Sequence, residues 1–310
     1  MICREGLRCP LAHHYLLVRH CPSVRPCRSV RQCQPARRFP SAHRFPSARR
    51  YLRERLSRLE RRNLKPGTLI VNADDFGLTP RVTEGIVRAM TEGVVTSTSA
   101  MLCTPHGAAS LRTHRELLRN RAGVHLQLTG GPGFPPKRAM LRDLVTEPIL
   151  REWHTQMRAF LDSGLEPTHI DSHHHVHKEP AAFEAYCEVA REYGVPARSC
   201  SPAMTMQLRE AGVACPDAFE CSWTSSAKPS REGLLAAVSQ CFLDQRPLIV
   251  ELMCHPGYTD AELLRVSGAA ASRELELAVL CDPSLRAILA ERGVEISADR
   301  AISGTAKEFP

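Results

Sequence analysis

Two neighbouring carboxylates, a run of histidines and two single histidines are the residues of this chain whose types and spacing could do chemistry. Asp74-Asp75 ends the apolar segment Thr68–Ala73 (TLIVNA), and His173-His174-His175-Val176-His177 follows Thr168–Asp171 (THID) and Ser172. Four histidines within five positions are improbable as packing residues and suit a divalent metal. In a helix His173 and His177 would share a face. In an extended chain His173, His175 and His177 would, so the run alone does not say which one binds. A polar turn with one buried histidine held by Asp171 is the competing structure. Side chains alternate along a strand, so one of Asp74 and Asp75 can hold a cation while the other serves as base; Asp75 or Thr79 could instead cap the next helix. His125, within Ala122–Leu128 (AGVHLQL), would by itself be a core histidine. Beside an aspartate and His173 it becomes a third ligand, leaving positions open for water and substrate. His255 follows the apolar run Pro247–Cys254 (PLIVELMC), where it could protonate a leaving amine, stabilise an oxyanion, or simply cap the strand. Together these residues describe a divalent-metal-dependent hydrolase.

The elements that must position them alternate. After strand Thr68–Ala73, helical spacing of Val82, Ile86, Val87 and Met90 predicts a helix over Pro80–Gly93. Further strands are predicted over Val94–Leu102, Ala122–Leu128, Thr168–Asp171, Pro247–Cys254 and Val294–Ser297, with a weaker one over Pro196–Cys200. Helices are predicted over Ala108–Arg119, Glu147–Ser163, Pro180–Tyr193, Ser230–Leu243, Ala271–Leu280 and Pro283–Glu291. This order argues for a mostly parallel sheet with crossover helices, closed or nearly closed into a barrel. In such folds the active site lies at the C-terminal strand ends, and that is where most of these residues fall.

The first 62 residues differ in kind. They carry sixteen Arg, no Lys and three Glu, a charge of +13, so the remaining chain is −5 against the overall +8. A six-residue repeat opens at Cys21, Cys27, Cys33, Phe39, Phe45 and Tyr51, filled with Ser, Pro and Arg. That composition cannot bury enough apolar surface to order itself. Residues 1–64 therefore read as a disordered extension. It could be a targeting segment, a nucleic-acid-binding arm or translated upstream sequence foreign to the native protein, the last being favoured. The eight cysteines beyond it sit singly in apolar segments without a CxxC pair, as buried free thiols do in a reducing compartment. No apolar run reaches the ~20 residues of a membrane helix.

Five motifs in this order resemble the YdjC-like carbohydrate deacetylases, which include bacterial chitooligosaccharide deacetylases. They are Ile70–Gly77 (IVNADDFG), Val95–Thr98 (VTST), Gly123–His125 (GVH), Pro167–His177 (PTHIDSHHHVH) and Glu251–Gly257 (ELMCHPG). The resemblance spans about Thr68 to Ser297. It implies a (β/α) barrel of the glycoside hydrolase/deacetylase type in one domain, residues 65–300, followed by a tail, 301–310. It implies removal of N-acetyl groups from short GlcNAc oligosaccharides with a bound divalent cation, magnesium first, Zn2+ or another divalent second. Asp74 falls on the family's base, Asp75, His125 and His173 on its metal ligands, and His255 on a motif histidine read as the acid. His174, His175 and His177 become supporting or substrate-facing residues. A small carbohydrate is then the partner, with no nucleic acid for the body and no membrane; a cytoplasmic location and a homodimer are compatible with it. A metal-dependent phosphoesterase would need Lys or Arg clustered at the site, where the motif loops offer mainly Arg81 and Lys178. A non-catalytic carbohydrate-binding protein would not need Asp74 and His255 beside the ligands.

Overall fold

A computed structural model of the chain describes residues 67–297 and 302, apart from 132, 137, 139, 140, 142, 143, 226, 227, 243–247, 268 and 269. The extension expected over 1–64 and, but for residue 302, the tail over 301–310 lie outside the described residues.

The first strand, β1 (Gly67–Phe76), is buried on both faces from Leu69 onward, as its continuous apolar run demands of a central parallel strand. Its length follows from its partners. Along one edge it pairs with β6 (Ile249–Cys254), in register from Thr68↔Ile249 to Ala73↔Cys254. It also pairs with β7 (Val294–Ile296) over Gly67–Leu69 and with β2 (Ser97–Ala100) from Asn72 onward. The sheet runs β4-β3-β2-β1-β6-β5, all parallel, with β3 at Ala122–Leu126, β4 at Ile170–Ser172 and β5 at Ala218–Glu220.

The sheet curls into a half-barrel with helices around it. Beyond β4, Ile170 N–H donates to Pro196 O (2.9 Å), Arg198 N–H to Ile170 O (3.0 Å) and Ala197 N–H to Ala214 O (2.9 Å). The weak strand expected over Pro196–Cys200 is thus a single bridge at Ala197.

The helices follow their capping chemistry. Helix α1 (Pro80–Thr91) starts at Thr79, whose hydroxyl accepts from Val82 N–H at 3.2 Å, with Pro80 in the first turn. It buries Val82, Ile86, Ala89 and Met90, while Val87 stays half-buried. The helix expected over Ala108–Arg119 divides at His114 into α2 (Gly107–Thr113) and α3 (Arg115–Leu118). Helix α4 (Thr146–Leu161) buries Ile149, Trp153, Met157 and Phe160 at helical spacing. Its Gln156 reaches into the core, accepting from Gln127 N–H (2.8 Å) and donating to Gln127 O (2.9 Å). Helix α5 (Pro180–Glu192) packs beside it. Helix α6 (Pro202–Glu210) was not predicted, although Ser201-Pro202 carries the start signal and the Ser201 hydroxyl does accept from Met204 N–H. Helices α7 (Arg231–Cys241), α8 (Ala261–Val266), α9 (Ala270–Leu280) and α10 (Leu285–Glu291) complete the layer. No helix among the described residues is long and apolar enough to cross a membrane.

Candidate active site

Asp74 and Asp75 end β1, but not as a regular strand end. Ala73 pairs with Thr98 and Phe76 with Ala100, so β1 holds one residue more than β2 between those pairs. Asp75 takes up that bulge in the left-handed region (φ 72°), which Asp tolerates better than most side chains. The bulge cancels the alternation expected of neighbouring strand residues. Both carboxylates come within reach of one imidazole, His125.

His125 projects from β3 beside its register partner Asp171 on β4. Its Nδ1 lies 2.7 Å from Asp171 Oδ1, which fixes the ring and turns Nε2 toward Asp75. Burial alone would lower its pKa; the Asp171 carboxylate, helped by Asp75 and Asp74, instead raises it to about 10. His125 Nε2, His173 Nδ1 and Asp75 Oδ1 form a nearly equilateral triangle, with sides of 3.4, 3.2 and 3.3 Å. Asp75 Oδ1 is buried and makes no hydrogen bond among the described residues. A buried carboxylate oxygen facing two ring nitrogens is a donor set whose chemistry fits a divalent metal. The other Asp75 oxygen accepts from Arg273 Nη2 at 2.5 Å. Burial opposes ionisation of Asp75, but Arg273, His125 and His173 together outweigh it and hold the carboxyl well below its usual range.

Asp74 belongs to a second, deeper network. Arg198 donates Nη1 to Asp74 Oδ2 and Nη2 to Asp74 Oδ1, both at 2.7 Å, and Nε to Glu251 Oε1 at 2.7 Å. Its Nη2 is also 2.8 Å from Asp171 Oδ2. One guanidinium cannot neutralise three buried carboxylates. Burial would raise Asp74, yet Arg198 brings it far below the carboxylate range; at Glu251 burial wins over Arg198 and pushes the carboxyl to about 7. His255 stands at the rim with Nε2 4.0 Å from Asp74 Oδ2, and a quarter of its side chain is accessible. Burial lowers its pKa against the pull of Asp75 and Asp74, which favours the neutral imidazole.

This fold and this rim coincide with a known family. The family model described as YdjC-like protein matches residues 68–291. The chain belongs to the YdjC-like family. Among its relatives, a protein of Geobacillus stearothermophilus named carbohydrate deacetylase is 36% identical over 247 residues, covering 74% of this chain and 96% of that one. A carbohydrate deacetylase of Vibrio cholerae serotype O1 (strain ATCC 39541 / Classical Ogawa 395 / O395) is 34% identical over 247 residues, 74% of this chain and 94% of its own. A crystal structure from Enterococcus faecalis V583, whose description proposes a cellobiose-phosphate cleavage protein, superposes with a TM-score of 0.67 at 30% identity. It covers 76% of this chain and 99% of that one.

In this YdjC-like chain the five residues singled out from sequence lie together on one rim. The histidine run divides. His174 and His175 both adopt left-handed conformations (φ 55° and 51°), so the run is neither the regular helix nor the strand considered from its spacing. His173 completes the triangle with Asp75 and His125, closely overlain by Gly130, where a Cβ would come within 2.8 Å of its Nε2. His174 lies exposed, 3.0 Å from the Thr129 hydroxyl. His175 and His177 turn away toward Cys200. His177 is wholly buried, so it does not face substrate. The eight cysteines among the described residues are free, as expected, but of these only Cys187, Cys215 and Cys254 are buried. Burial pushes the Cys200 thiol up to about 12, so without a cation beside it the group stays a thiol. Sequence reasoning missed Arg198 and Arg273. An arginine inside the weak strand Pro196–Cys200 was the one available signal for Arg198; nothing local marks Arg273.

Proposed function

We propose that this chain is a metal-dependent carbohydrate deacetylase that removes N-acetyl groups from acetylated sugars such as short GlcNAc oligosaccharides. The observation that carries this reading is the buried, unbonded Asp75 Oδ1 facing His125 Nε2 and His173 Nδ1, in a member of the YdjC-like family. Asp75, His125 and His173 would hold the cation. When bound there, a divalent cation supplies Lewis acidity to the amide carbonyl and lowers the pKa of water. Magnesium is the cation the family resemblance implies, but two imidazoles beside one carboxylate also suit nitrogen-accepting cations such as Zn2+.

Asp74 is the proton acceptor for the attacking water and His255 the donor to the departing sugar amine. One observation favours a second assignment of these protons: both Asp74 oxygens are held by Arg198, which makes that carboxylate a weak base. A neutral His255 can itself take the water proton and deliver it to the amine, with Asp74 stabilising the imidazolium formed between the two steps. Under either assignment His255→Asn lowers kcat/KM about 10²-fold or more and leaves the cation bound. Steady-state kinetics with metal analysis of the same preparation checks this; unchanged kinetics would remove His255 from the chemistry.

A phosphoesterase would need cations free to meet a phosphate. The two buried guanidiniums nearest the rim, Arg198 and Arg273, face carboxylates instead. The deciding experiment is acetate release from diacetylchitobiose by metal-stripped protein resupplied with Mg2+, Mn2+, Co2+, Ni2+ or Zn2+. Acetate should appear with at least one cation and vanish on chelation. Silence with every cation would sink the substrate assignment.

A further inference from the structure

We infer that His175, His177 and Cys200 form a second metal site, built for a thiophilic cation such as Zn2+ and separate in its ligands from the triangle of Asp75, His125 and His173. The inference does not rest on the catalytic reading. His175 Nδ1 lies 3.6 Å and His177 Nε2 3.3 Å from Cys200 Sγ. All three donor atoms fall within 4.8 Å of one another. A tetrahedral zinc ion with Zn–S of about 2.3 Å and Zn–N of about 2.0–2.1 Å separates its sulfur and nitrogen ligands by about 3.6 Å. The cluster is therefore already close to ligand spacing, before any side chain moves.

Its supports resemble those of a built site. His177 Nδ1 lies 2.5 Å from the Ser172 hydroxyl, which leaves Nε2 for the sulfur, and the ring stacks on Tyr186 at 4.5 Å between centroids. His175 is braced edge-on by Phe219 at 5.6 Å. The two left-handed residues, His174 and His175, send these rings away from His173, so one run of histidines serves two places. His175 and Cys200 are only half-buried, which leaves an approach from solvent. Arg198 and Lys178 disfavour positive charge at His175 and His177, and the Asp74 and Asp171 carboxylates, two of the three that surround Arg198, oppose this at His175. A thiolate with two imidazoles selects zinc over magnesium or calcium, which prefer oxygen. Binding displaces one proton, from the Cys200 thiol, to solvent.

The test compares full-length protein with its Cys200→Ser variant, both loaded with Zn2+, desalted and analysed for metal per chain. Cys200→Ser should hold one zinc equivalent fewer, whereas Cys187→Ser, which alters a buried thiol in α5, should hold the parental amount. In an Asp75→Asn background, Co2+ should produce a near-ultraviolet thiolate-to-cobalt band that Cys200→Ser removes. Equal zinc content in parent and Cys200→Ser overturns the inference, as does a thiolate band in Asp75→Asn protein that is absent or unchanged by Cys200→Ser. Should Cys200→Ser fail to fold by circular dichroism, His175→Asn at the half-exposed end must remove the same equivalent, and parental zinc content in that variant is equally fatal.

Discussion

Asp75→Asn protein is expected to purify without the cation of the Asp75–His125–His173 triangle and to lose at least about 10⁴-fold in kcat/KM, the several kcal/mol that a Lewis acid supplies. The substitution is chosen for its backbone. Asp75 sits at φ 72°, a conformation that Asn adopts readily and Ala does not, so the variant keeps the β1 bulge. What it loses is the charge of the one buried oxygen facing both imidazoles, together with the counter-charge of Arg273. His125→Ala and His173→Ala should behave alike. Asp74→Asn is the informative contrast, because Asp74 is tied to Arg198 rather than to the triangle. It should retain the cation and lose turnover. Metal analysis and acetate release on one preparation separate the cases. Asp75→Asn with a full metal complement would show that Asp75 is no ligand. Asp74→Asn with near-normal turnover would pass the base role to His255.

Arg198→Met should cost about 3–5 kcal/mol of stability at neutral pH, because removing one partner strands buried charge of the other sign. For a domain of this size that corresponds to a fall of roughly 6–20 °C in Tm. The guanidinium is 1% exposed and touches Asp74, Asp171 and Glu251, so the variant buries three carboxylates without their common cation. The pH dependence has a definite sign. In the parent, Arg198 holds Asp74 below its unfolded pKa, a contribution present above about pH 4 and lost as the pH falls through the folded value. In Arg198→Met the main opposition to burial is gone, with only His125 and His255 left to lower Asp74, so the folded pKa values rise above the unfolded ones. Stability is then fully present below about pH 4 and lost as the pH rises through those folded values. The deficit against the parent should therefore be wide at pH 8 and narrow at pH 4.5. Glu251, already pushed to about 7 in the parent, should contribute little to the difference at acid pH. Arg198→Lys keeps a charge but not the fork, and should fall between the two. Thermal melts across pH check this, and a deficit that stays constant from pH 4.5 to 8 would refute the account.

Much of this site could be read from the sequence because the fold makes local position informative. In a parallel α/β sheet every strand delivers its C-terminal end to the same rim. Recognising TLIVNA, AGVHLQL, THID and PLIVELMC as strands is therefore nearly enough to assemble Asp74, Asp75, His125, His173 and His255 in space. Their residue types then name the chemistry. The strand and helix order was legible for the same reason, since apolar period and caps act over a few residues. β5, which escaped, is too short for a period to show, and the bridge at Ala197 is short enough that the sequence marks it only as a weak strand.

The tertiary structure decided what those side chains do to one another. Arg198 lies 124 positions from Asp74, and Arg273 lies 198 positions from Asp75. Each is buried by neutralising a carboxylate from a distant element, and no local pattern records a charge whose partner is so far away. The division of the histidine run is also beyond the sequence. Its spacing allowed a helix or a strand, but two left-handed residues, with His177 stacked on Tyr186, send His173 one way and His175 and His177 another. The bulge at Asp75 is a third case, in which pairing with β2 overrides the alternation of a free strand. By itself the sequence determined which residue types reach the rim. Packing between distant segments determined which way each one points, which carry charge, and which are left with an unbonded donor atom for a cation.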